Sequence, residues 1–164
     1  MSDTSAPEAM DQSRLEQMAE AILKGQTDIA ALNGITGDEL EAVYSMGYGF
    51  YSAGQHQDAA DVFRFLCLHR HTDPRFWLGL AASAQMLGFH AVAVQAYGVC
   101  AMLEPEDPQV SVRAAECFIA MGDATSAGTA LEAAEALSHG KPGHARWGDR
   151  AKVLRAHLTG SGRA

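Results

Sequence analysis

The sequence predicts an all-α fold: a short right-handed superhelical solenoid of three helix–turn–helix units, flanked by one further helical segment at each end. Two observations predict it. Pro74, Pro108 and Pro142 stand 34 residues apart, and the same interval separates Gly54, Gly88 and Gly122, then Ala59, Ala93 and Ala127, then the bulky trio Phe63, Tyr97 and Leu131. The composition agrees, since 48% of the 164 residues are hydrophobic and only 7% aromatic, with Ala and Gly abundant, which suits close-packed helices better than sheets. At this length one domain with a real core is expected rather than two.

A self-similar period of about 34 residues is that of the tetratricopeptide repeat. Taken from the N-terminus, residues 1–10 are small and polar and are expected to be disordered. In the next segment, 11–37, Leu15, Met18, Ile22 and Leu23 form an apolar stripe at helical spacing that Gly25 stops. Ile29, Leu32 and Ile35 suggest a short helical or turn connector into Asp38. Residues 38–141 then hold three repeats, 40–73, 74–107 and 108–141, with Leu40, Pro74 and Pro108 as first positions. A proline there starts a helix at no hydrogen-bonding cost, because the first N–H of a helix has no partner anyway. Gly47, Ala81 and Ala115 are small where the first helix of each unit meets the second, and Val43, Met46 and Phe50 are expected on the same inward side as Gly47. Gly54, Gly88 and Gly122 end each first helix, where a residue without Cβ turns the chain cheaply. Ala59, Ala93 and Ala127 mark helix crossings. After Pro142, the stripe Trp147, Ala151, Leu154 and Leu158 predicts a capping helix over 142–159, which a solenoid needs to cover its last apolar face. Residues 160–164 are expected to be a disordered tail.

Charge and cysteine usage exclude several classes. A formal net charge of −8 argues against a general nucleic-acid binder, although Lys141, Arg146, Arg150, Lys152, Arg155 and Arg163 make the last stretch basic. Cys67, Cys100 and Cys117 sit in apolar helical patterns and cannot all pair, so small buried thiols in a reducing compartment are expected. The N-terminus has no basic start followed by an apolar run, and no stretch approaches the roughly 20 apolar residues of a membrane span. A soluble, cytoplasmic protein without a membrane partner is the expectation.

The stretch "FRFLCLHRHTDPRFW" offers Cys67, His69 and His71 beside Asp73. Two residues apart on a helix are about 200° apart, so His69 and His71 cannot share an ion. Cys67 with His71 would supply two ligands where structural zinc needs four, and neither CxxC nor HExxH completes a set. No metal site is assigned, and Cys67 and His69 are read as packing residues. Gly47, Gly49 and Gly54 do not match GxGxxG, and no GxxxxGK[ST] occurs. His56, His90, His139, His144 and His157 are scattered, and Glu104, Glu106 and Asp107 look like a solvated turn. No catalytic residues and no cofactor are assigned.

One feature exceeds what a solenoid core needs. In "LEAVYSMGYGFYSAG", Tyr44, Tyr48 and Tyr51 share a side of the helix distinct from the inward one. In tetratricopeptide arrays that side lines a concave groove. The equivalent positions are Arg75, Leu78, Ala82, Gln85 and Met86 in the second repeat, and Gln109, Val112, Glu116 and Ile119 in the third. Tyrosines give large, rigid contact area with a hydroxyl that can meet a peptide backbone, and Ala82 leaves space for an entering side chain. The alternative is that the tyrosines pack against the N-terminal helix, sealing the groove from within. Arg75 is nearly alone among cations at these positions, so a carboxylate-reading clamp is not expected. An extended, partly hydrophobic segment is the better ligand.

The run Y-S-x-x-Y/F-x-x-Y, the block "FRFLC", the segment "RFWLGL" and the tetrapeptide "AAEC", in this order over roughly residues 38–140, resemble the class II chaperones of bacterial type III secretion, the SycD/LcrH/IpgC type. The resemblance implies a chaperone of the bacterial cytoplasm that is not an enzyme. It would keep two hydrophobic translocator proteins soluble and apart by holding an extended N-terminal segment of each client, with spaced prolines and apolar residues. Tyr44, Tyr48 and Tyr51 are the matching groove positions, with Leu78, Ala82 and Met86 as neighbours. The resemblance further implies that the N-terminal helix, about 11–24, supports a homodimer through Leu15, Met18, Ile22 and Leu23, and that some members assist a transcriptional activator. A generic tetratricopeptide adaptor in another assembly or regulatory pathway is the alternative.

Overall fold

The computed structural model describes residues 12–24 and 27–161. Residues 1–11, Gly25 with its expected helix-stopping role, and the last three residues of the expected tail lie outside the described residues. Among the described residues the structure is helical throughout, with no strand: α1 (Gln12–Leu23), α2 (Ile29–Leu32), α3 (Gly37–Ser52), α4 (His56–His69), α5 (Pro74–Met86), α6 (His90–Leu103), α7 (Pro108–Ala120), α8 (Ala124–Ser138) and α9 (Ala145–Ser161). From α3 onward each helix packs chiefly on the next one in the chain, while α3 also touches α5 and α7 touches α9. The first helices of successive repeats thus meet in part, α3 with α5 and α7 with the capping helix α9.

Local chemistry sets these boundaries. Thr36 and Glu39 form a reciprocal capping box on α3: the Glu39 N–H donates to Thr36 Oγ1 at 3.2 Å and the Thr36 N–H donates to Glu39 Oε2 at 2.8 Å. Asp73 and Asp107 cap α5 and α7 by accepting from the N–H groups of Arg75 and Gln109 at 3.0 and 2.9 Å, with Pro74 and Pro108 at the first helical position. Gly54, Gly88 and Gly122 each turn the chain with φ of 78–79°, a left-handed conformation that glycine adopts without steric penalty.

The core falls into three clusters along the chain, the first two joined by Trp77 and Leu80. Leu40, Ala59, Phe63, Leu66, Cys67 and Phe76 form the first; Ala81, Ala93, Tyr97, Cys100 and Cys117 lie in the second; Val112, Ala115, Leu131, Ala134 and Ala151 form the third. The 34-residue columns are therefore core positions: Phe63, Tyr97 and Leu131 are fully buried, and so are Ala59, Ala93 and Ala127. Burial pushes the thiols of Cys67 and Cys100 up to about 12, which keeps them protonated.

Two expectations are corrected. Met46 is 49% exposed instead of inside, because α4 covers the side of α3 that carries Gly47, whose missing Cβ would meet Val62 Cγ1 at 2.9 Å. At the other end, a short 3-10 turn over Pro142–His144 leads into α9, which runs to Ser161 rather than stopping at 159. Gly160 costs a helix end roughly 1 kcal/mol relative to alanine, which weakens the last turn without breaking it. Trp147, Leu154 and Leu158 pack on the third cluster, so α9 caps the solenoid. In α1, Leu15 and Leu23 are exposed, whereas Met18 and Ile22 are half-buried.

The connector is tied down by one ion pair. Asp28 caps α2 by accepting from the Ala31 N–H at 2.8 Å, and its other oxygen accepts from Arg70 Nε, just past α4, at 2.7 Å. Burial alone would raise the Asp28 carboxyl, but these hydrogen bonds and the guanidinium charge hold it below the usual aspartate value. A lowered folded pKa means that the pair supports the fold above the ordinary aspartate pKa and that this support is lost as pH falls through the folded value. Arg70→Ala is expected to cost about 1 kcal/mol at pH 7. In urea titrations, the gap between variant and wild type should shrink as pH falls below the ordinary aspartate range. A gap that persists unchanged in acid would mean that Arg70 acts through packing and not through Asp28.

Candidate peptide-binding groove

Helices α3, α5 and α7 frame a cavity of about 270 Å³. Tyr44, Tyr48 and Tyr51 of α3 form one wall and Arg75, Leu78, Gly79, Ala82, Gln85 and Met86 of α5 the other; Gln109 and Arg113 of α7 close one end, and Phe63 and Tyr97 reach it from α4 and α6. The three tyrosines and the five expected α5 positions thus come together in one place. Among the described residues, no α1 side chain lines this cavity, so nothing there supports a seal by the N-terminal helix.

The three tyrosines differ in what holds them. Tyr44 is part of the core edge, with its ring centroid 6.0 Å from that of Phe63, edge to face, and 5.8 Å from that of Phe76. The Arg75 guanidinium lies 4.9 Å above the Tyr44 ring, and burial raises the phenol above its ordinary value. Tyr51 meets His56 edge to face at 5.2 Å. Tyr48 is 60% exposed and offers its face to the cavity.

Four of the polar side chains around the cavity, Arg75, Gln85, Tyr97 and Arg113, are partnered within the protein. Arg75 donates to Asp73 at 2.8 Å and pairs with Glu41 at 3.1 Å, and these bonds raise its already high pKa. Tyr97 donates its hydroxyl to Gln85 Oε1 at 2.7 Å, and Gln85 Nε2 donates to Glu116 at 3.3 Å. Glu116 also accepts from Arg113 at 3.3 Å and from Arg150 at 2.9 Å. Such a connected network fixes side-chain positions before anything binds. What remains facing the cavity is mainly apolar and aromatic surface, with the tyrosine hydroxyls and Gln109 as polar points, which suits an extended segment.

The third repeat departs from expectation. Gln109 lines the cavity, but Val112 is fully buried in the third core cluster, Glu116 is the polar bridge just described, and Ile119 lines a different cavity with α9. Arg75 is not nearly alone, since Arg113 shares the cavity. Phe63, Gly79 and Tyr97 also lack any sequence-based groove assignment. A signal for Gly79 exists in "RFWLGLAAS": an isolated glycine inside a helical pattern usually has a packing reason.

Elsewhere, Cys67 lies in the first core cluster, His69 stacks on Phe65 with ring centroids 3.9 Å apart, and the His71 carbonyl accepts from Trp77 Nε1 at 2.8 Å. Among the described residues, no three His, Cys, Asp or Glu side chains converge as metal ligands, and no helix is long and apolar enough to cross a membrane.

Comparison with known proteins gives a consistent set of relatives. A family profile described as tetratricopeptide repeat matches residues 40–73. The low calcium response locus protein H of Yersinia pseudotuberculosis is 36% identical over 135 residues, covering 82% of this chain and 80% of that protein. A chain of a type III secretion complex from Aeromonas hydrophila is 32% identical, with a TM-score of 0.83 over 88% of this chain and 97% of its own. The Yersinia enterocolitica type III secretion chaperone SycD, solved in complex with a peptide of the translocator YopD, is 31% identical, with a TM-score of 0.74 over 79% of this chain and 98% of its own.

Proposed function

The chain belongs to the family of type III secretion translocator chaperones that includes low calcium response locus protein H and SycD, and from that premise we propose that it is a non-enzymatic chaperone of the bacterial cytoplasm. Its clients are hydrophobic translocator proteins, held by an extended N-terminal segment in the groove between α3 and α5. The observation that carries this reading is the chemistry of the cavity. It is walled by three tyrosines with Leu78, Ala82 and Met86, while Arg75, Gln85 and Arg113 are already partnered within the protein.

A protein destined to enter a membrane exposes apolar segments that aggregate in water. A rigid groove lowers the entropic cost of capturing such a segment in an extended form, and neither nucleotide nor covalent chemistry is required. On this reading residues 38–141 are the client-binding unit. The partly uncovered stripe Leu15, Met18, Ile22 and Leu23 on α1 is the surface for a second copy of the chain.

The test is co-expression with each translocator encoded nearby, followed by size-exclusion chromatography with light scattering. A soluble complex of defined stoichiometry is expected. Tyr48→Ala, which removes an exposed ring with little packing role, should weaken binding about tenfold without lowering thermal stability. Translocators that stay insoluble, with this protein eluting alone, would leave the repeat fold intact and favour an adaptor in another pathway.

A further inference from the structure

A second apolar cavity, of about 310 Å³, lies between α7 and α9 and is lined by Ile119, Arg150, Val153, Leu154, His157 and Leu158. It shares no lining side chain with the first, and one carboxylate links the two. Arg113 lines the first cavity and Arg150 the second, and both donate to Glu116, at 3.3 and 2.9 Å. Glu116 and Ile119 follow Arg113 at intervals of three on α7, so one helix face carries the first cavity, the bridge and the second cavity in turn. We propose that the groove runs across this bridge, and that the α7–α9 cavity takes a second apolar side chain of the same translocator segment. This inference rests on the chaperone reading above.

Two features define the occupant. First, Ile119, Val153, Leu154 and Leu158 make most of the cavity wall apolar, and Val153 is 51% exposed on α9 within it. Second, the bridge carries two guanidinium groups against one carboxylate, so its formal charge is 2 − 1 = +1, and both arginines remain partly exposed, at 42% and 51%. A client crossing it is favoured if it presents backbone carbonyls or an acidic side chain there. The two cavities sit about two helix spacings apart, roughly 20 Å, which an extended chain covers in about six residues. The recognised unit is therefore an apolar anchor, a short polar or acidic stretch, and a second apolar anchor. A segment that fills the first cavity alone is only part of the ligand.

The probes are overlapping synthetic 20-residue peptides from the N-terminal region of each translocator tested by co-expression, titrated calorimetrically into the protein. Val153→Asp should weaken the tightest peptide about tenfold, as expected for losing one buried aliphatic contact. Trimming that peptide one residue at a time should give two separate drops in affinity, the outer of which is missing in Val153→Asp. Val153→Ser removes apolar surface without adding charge and should act in the same direction, which guards against any cost of aspartate to α9 itself. Unchanged affinity in both variants, with Ala82→Phe still abolishing binding, overturns the second site and leaves the first intact. A change in oligomeric mass by light scattering, with peptide affinity unchanged, assigns the cavity to a second copy of the chain and also overturns the inference. If no peptide binds the wild-type protein, the second site and the chaperone reading fall together.

Discussion

Replacing Gly79 with alanine is expected to destabilise the protein by about 1–3 kcal/mol, although the same change inside an exposed helix would stabilise it by about 0.8–1 kcal/mol. The sign is decided by Phe63. A Cβ at position 79 would lie 2.4–2.5 Å from three atoms of the Phe63 ring, far inside van der Waals contact. Moving the ring costs core packing, since Phe63 is buried in the first core cluster and Tyr44 packs against it. Gly79 is therefore the position at which α5 makes room for an α4 side chain, and the groove wall is set by that approach. Urea or thermal unfolding should show a midpoint lowered by roughly 3–10 °C equivalent. Phe63→Leu in the same background should restore part of the loss, giving a coupling between the two sites that neither single change shows. A protein stabilised by Gly79→Ala would mean that α5 and α4 lie further apart than the contacts require.

The legible part of this molecule is the part whose requirements are local. Pro74 and Pro108 can begin a helix, and Gly54, Gly88 and Gly122 can take a positive φ, for reasons contained within a few residues, so their 34-residue recurrence reads directly as repeat boundaries. Helical spacing likewise placed Tyr44, Tyr48 and Tyr51 on one side of α3 and Leu78, Ala82 and Met86 on one side of α5. Spacing fixes an angle around one helix but not which neighbour covers it. Met46 was thus expected inside although α4 covers the adjacent side, and Val112 was expected in the groove although it is buried in a cluster with residues of α8 and α9. Arg113 joins the cavity for a related reason: its position depends on how far the solenoid curves α7 towards α5, a sum of small rotations that no single repeat encodes. Tyr44 shows the same limit at the level of one side chain, because its contacts with Phe63 and Phe76 make it core and groove at once.

That double role decides which substitution tests client binding. Changing Tyr44, Tyr48 and Tyr51 together would remove core contacts along with the groove wall, so a loss of binding could not be separated from a loss of fold. Ala82→Phe avoids this. Ala82 sits half-buried on α5 between Leu78 and Met86, one turn to either side, and faces a cavity of about 270 Å³ that also holds Gly79 and Tyr48. A phenylalanine ring there extends into the cavity and covers apolar surface that is otherwise wet, so thermal stability should hold within about 1 kcal/mol or rise. It also takes the place of the client's anchoring side chain, and anchors in central, desolvated pockets carry most of an interface's energy. Affinity for the translocator segment is expected to fall about 100-fold, equivalent to about 2.7 kcal/mol, against about tenfold for Tyr48→Ala, which removes one wall and leaves the space open. A variant that melts normally and binds normally would place the client outside the α3–α5 groove, and the tyrosine row would then have to be explained by packing alone.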